Sequence, residues 1–116
     1  MVLNTTNRST ISMAVNVRAS IENAFETIKQ LINDNKNTEI ILIRKVKQKL
    51  GFIDNAINVF RKDEWKNLND SDKLALDLLQ SQVMNFIISV DQKNKKERLK
   101  ETEYLLKTAK LTLTTA

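Results

Sequence analysis

Apolar residues recur at helical spacing along almost the whole chain. Ala14, Val17, Ile21, Ala24, Ile28 and Leu31 step by three and four, and Phe25 and Ile32 widen the stripe. A second stripe runs through Ile43, Val46, Leu50, Ile53, Ile57 and Phe60. A third joins Leu76, Leu79, Val83, Phe86 and Val90, and a fourth Leu99, Thr102, Leu106, Ala109 and Leu113. Polar runs separate them. Asn33–Asn37 is the clearest, because short polar side chains compete with a helix for backbone hydrogen bonds. Lys62–Asp70, charged around Trp65, and Asp91–Lys96, without an apolar residue, read as the other two connections.

The pattern predicts an all-α fold: an antiparallel four-helix bundle running up-down-up-down, with frayed N- and C-terminal tails. Residues 1–116 form one domain, of which 1–9 are a flexible tail. The first helix is expected to start near Ser9 or Thr10. Thr38 is placed to cap the second helix, and Asn69, three residues before Asp72, to cap the third. Gly51 falls inside the second stripe, where it marks a kink, a break or a close crossing. Without Gly or Pro near Asp91–Lys96, one continuous helix is the alternative to separate third and fourth helices. Leu111–Ala116 is expected to fray.

Composition narrows the chemistry. The 116 residues include no proline, histidine or cysteine and one glycine. The usual general base, the thiolate nucleophile and most transition-metal ligands are therefore missing, as is any Gly-rich phosphate loop. Carboxylates one turn apart, Glu22 with Glu26 and Glu97 with Glu101, are commonplace on solvated helix faces. The chain is read as a non-enzyme with no catalytic residue, metal or cofactor. No apolar run is long enough to span a membrane. Residues 1–21 are basic and rich in Ser and Thr, as transit peptides are, but the first helical stripe already runs through them. A cytoplasmic location is the default, or a secreted one if an upstream signal precedes residue 1.

Two surface features then stand out. Opposite the core stripe of the third helix lie Leu74, Ser81, Met84 and Ile88, with Leu78 at the edge, interrupted by Asp77, Asn85 and Asp91. A helix apolar nearly all round wants burial on both sides. Leu74, Leu78, Met84 and Ile88 therefore form the candidate interface of a small protein-binding module for another, acidic protein or a homodimer. The second helix carries a weaker version in Ile41, Phe52 and Val59. The bland reading of these residues is scattered surface apolars or cover by a tail.

The net charge is +5. Arg44, Lys45, Lys47 and Lys49 fan across one helical segment. Lys93, Lys96, Lys100 and Lys107 line another around Tyr104, with Lys95 and Arg98 beside them. The alternative function is sequence-independent binding of nucleic acid or another polyanion by Arg44, Lys45, Lys47, Lys49, Lys96, Lys100, Tyr104 and Lys107. Against it, Glu97, Glu101 and Glu103 are mixed into the fourth helix, and lysine outnumbers arginine.

Overall fold

The structure is a computed structural model that describes residues 11–115. Four α-helices pack against one another: α1 (Val15–Asn33), α2 (Glu39–Glu64), α3 (Asp70–Ser89) and α4 (Lys95–Thr112). Helix α1 packs on α2 and α4, α2 on α3, and α3 on α4. The predicted stripes point inward. Ile21, Ala24, Phe25, Ile28 and Ile32 are buried on α1; Val46, Leu50, Ile53 and Ile57 on α2; Leu76, Leu79, Val83 and Phe86 on α3. Helix α4 contributes Thr102, Leu105, Leu106 and Ala109.

A polar side chain caps the start of each of the three helices that follow a connection. Thr38 accepts the Ile41 N–H at 3.4 Å, and Asn69 accepts the Asp72 N–H at 2.8 Å. Helix α2 continues to Glu64, two residues past the predicted start of the loop, and a 3-10 turn at Trp65–Asn67 leads toward α3. Trp65 is half-buried against the core, with the Arg61 guanidinium carbon 4.2 Å and Lys73 Nζ 5.6 Å from its ring centre. Another 3-10 turn, Val90–Gln92, separates α3 from α4. There Asn94 and Glu97 close a capping box, each side chain accepting the other's backbone N–H at 2.9 Å. That box rules out one continuous helix.

Three expectations are corrected. The first helix does not start near Ser9 or Thr10, since Ile11–Met13 is a strand, β1, and α1 begins at Val15. The C-terminal end does not fray. Leu113–Thr115 forms strand β2, paired in parallel with β1 in the register Ile11↔Leu113, Ser12↔Thr114, Met13↔Thr115. Ile11, Met13 and Leu113 are all buried, so the ribbon is held by the core it helps to close, where an isolated two-stranded ribbon is marginal. Nor does α2 break at Gly51: the helix is unbroken, and a Cβ built there meets nothing within 4 Å. The flexible tail expected at residues 1–9 lies outside the described residues.

The openness around Gly51 carries a prediction. With no positive φ and no crowding, Gly51→Ala should stabilise the protein by about 0.5–1 kcal/mol, since alanine loses less backbone freedom in a helix. Chemical denaturation checks this; a destabilised variant would reveal a close approach at this position.

Candidate functional site

The outer face of α3 exposes large apolar side chains. Leu74, Leu78 and Ile88 are 70, 56 and 66 % exposed, and nothing among the described residues covers them. Together with Ser81 and Asn85 they form the series 74, 78, 81, 85, 88, which steps 4-3-4-3 on the side opposite the buried stripe. Asn85 therefore falls within the line and does not interrupt it. Met84 does not share the line. It is only 38 % exposed and lies on the edge toward α2, in a shallow depression with Arg61, Asp77, Gln80, Ser81 and Asn85.

That edge is held by a polar network. Arg61 pairs with Asp77 and donates to Gln80. The Gln80 amide donates to Asp54 at 3.0 Å and to Asn58 at 2.7 Å. On the opposite edge Gln82 donates to the Tyr104 hydroxyl at 3.4 Å. These bonds lock α3 to both neighbours and set the direction of its outward face.

The basic residues divide. Arg44, Lys45 and Lys49 are exposed on α2, and Lys47 is half-buried. Lys45 also donates to Asn37 at 3.2 Å across the preceding turn. On α4, Lys96, Lys100 and Lys107 are exposed, and Tyr104 lies beside Lys100, Glu97, Glu101 and Lys93 in a shallow hollow. Arg98, grouped with these lysines from the sequence, turns inward instead. It is 3 % exposed, donates from Nε to the Val90 carbonyl at 2.8 Å, and grips both Glu39 carboxylate oxygens at 3.0 and 2.8 Å. That hydrogen bond, helped by the attraction of the two charges and opposed by desolvation, holds the Glu39 carboxyl below its usual range. The residue ties the start of α2 to the α3–α4 turn and is not part of a polyanion face.

Three of the four paired carboxylates also have structural partners. Glu22 bridges Arg18 at 2.9 Å, Glu26 lies 3.9 Å from Lys29, and Glu97 belongs to the α4 cap. Among the described residues, no group of three or more Asp, Glu, His or Cys is placed to hold a metal ion.

One further feature had no clear signal in the sequence. An open groove of about 600 Å³ runs between the start of α1 and the second half of α2. Met13, Val17, Ala56 and Phe60 line it, with exposed Phe52 and Val59 at its rim and Asp63 and Glu64 at the C-terminal end of α2. Only the position of α1 beside α2 joins these residues. Compared with family models, curated proteins and solved structures, the chain matches none of them.

Proposed function

We propose that this protein is a non-enzymatic protein-binding module that pairs with a second copy of itself through the outer face of α3. The observation that carries this is the 4-3-4-3 line Leu74–Leu78–Ser81–Asn85–Ile88, exposed along its length. Such spacing is the seam of a two-stranded coiled coil, in which leucine and isoleucine knobs fill holes on the facing helix. A single asparagine in the seam costs stability but sets register and pairing, because it finds its hydrogen-bond partner in the same asparagine of the other chain.

The flanks favour a parallel pair. One flank carries Asp70, Asp77 (paired with Arg61), Met84 and, beyond the helix end, Asp91; the other carries Ala75, Gln82 and Ser89. Parallel pairing sets the acidic flank against the neutral one, whereas antiparallel pairing brings acid to acid. The four helices themselves are read as alternating up and down. Lys95 at the start of α4 donates to Asn35 beyond the end of α1, and Arg18 near the start of α1 donates to the Lys110 carbonyl near the end of α4. That arrangement leaves the α3 face pointing away from the other three helices.

Five seam positions on one helix make a small interface, so dimerisation in about the micromolar range is expected. Sedimentation equilibrium across a concentration series tests it. The native chain should dimerise, Leu78→Glu with Ile88→Glu should be a folded monomer, and Asn85→Ile should associate more tightly with looser choice of oligomer. A native chain that stays monomeric at high concentration, or a double variant that still dimerises, overturns the reading.

A further inference from the structure

The solvent side of α2 combines apolar and basic groups in one array. Ile41, Phe52 and Val59 follow one another at eleven and seven residues, which aligns them to within about 20° on a helix. They are 38, 50 and 63 % exposed, and the line is about 27 Å long at 1.5 Å per residue. Arg44 and Lys62 flank it on one side and Lys45 and Lys49 on the other, all exposed. No acid lies on α2 between Glu39 and Asp54; Asp54 is turned to α3 through Gln80, and Asp63 is the acid that shares the outward side. Beside Phe52 and Val59 the apolar surface continues inward along the α1–α2 groove.

We propose that this face of α2 seats the protein on an anionic lipid bilayer. Ile41, Phe52 and Val59 enter the boundary between headgroups and acyl chains, and Arg44, Lys45, Lys49 and Lys62 meet the lipid phosphates. A bilayer surface is flat, apolar at depth and negative at its rim, and the array matches it in that order. Long basic side chains reach outward along their methylene stems while neighbouring apolar groups stay lower. A duplex phosphate backbone would use the cations but leave the three apolar side chains in water. The groove gives the rim residues Phe52 and Val59 an apolar surround on the protein side once the face is covered.

Co-sedimentation of the full chain with phosphatidylcholine vesicles, with and without phosphatidylglycerol, tests this at low and physiological salt. Binding to the anionic vesicles alone is expected, with a loss of about thirtyfold or more for Lys45→Glu with Lys49→Glu. A loss of about tenfold is expected for Phe52→Ser with Val59→Ser, which leaves the charge unchanged. All four positions are exposed, and circular dichroism confirms that the variants are folded. No binding to anionic vesicles at low salt overturns the proposal. So does full binding by Phe52→Ser with Val59→Ser, or duplex DNA competing with the vesicles while binding equally to both native and serine chains.

Discussion

Leu113→Asp is expected to destabilise the fold by about 4 kcal/mol or more, close to the whole stability of a small domain. Leu113 has no exposed surface, and its strand closes against Ile11–Met13, 102 residues away in the chain. A carboxylate there is buried without a cation, and the charge must either be neutralised or drag the strand out of the core. Removing the strand in turn uncovers Ile11 and Met13, so the loss spreads to α1. Leu113→Ala should cost about 2–4 kcal/mol, the range for emptying a buried leucine site. Urea denaturation gives both values, and hydrogen exchange should show slowed amides in the 113–115 segment. If Leu113→Asp costs less than about 1 kcal/mol, the range of ordinary surface changes, the C-terminal end frays and the β1–β2 clasp does not close the fold.

Breaking the Arg98 clamp should come second. Arg98→Ala is expected to cost about 3 kcal/mol, since it empties a buried site, removes the side-chain bond to the Val90 carbonyl and releases α2 from the α3–α4 turn. Glu39→Ala is expected to cost about 2 kcal/mol, well above an ordinary exposed ion pair, because it leaves a buried guanidinium without its counter-charge. Arg98→Met keeps much of the packing without a charge to pair. Combined with Glu39→Ala, it should be no less stable than Glu39→Ala alone. A double variant that loses the sum of the single effects would show that the two residues act independently.

The clamp also sets a pH dependence. Glu39 has its pKa lowered in the folded protein, first by the hydrogen bond from Arg98. A depressed carboxylate contributes stability that is complete above the unfolded glutamate value of about 4.3. The contribution is lost as pH falls through the lower folded value. Arg98, raised further by the same carboxylate, stays charged throughout this range. Native and Glu39→Gln chains should therefore differ most above that window and converge in acid. A gap in stability that widens as pH falls would contradict the assignment.

Local spacing determined the helices and their buried sides. The stripe of α3, and most of those of α1, α2 and α4, are the ones buried, and Thr38 and Asn69 cap where short polar side chains precede a run. These features depend on neighbours three or four residues away, which the sequence displays directly. The surplus apolar residues of α3 were legible for the same reason, as were the exposed lysines. Asn94 carried a cap signal too, with Glu97 three residues on, inside a run read only as loop.

Tertiary structure decided the rest. The β1–β2 pairing joins Ile11 to Leu113, and each strand is only three residues long, too short to override the helical stripe that runs into it. Arg98 resembles its lysine neighbours in sequence, yet α4 presents it to the start of α2, where the Glu39 carboxylate and the Val90 carbonyl accept from its five-donor group. Met84 lies about 40° from Ile88 on a wheel, and the position of α2 makes its side of α3 an edge shared with Arg61, Asp77 and Gln80. The α1–α2 groove exists only because α1 starts beside the second half of α2. Periodicity tells which side of a helix seeks burial, whereas what lies opposite that side depends on segments far apart in the chain.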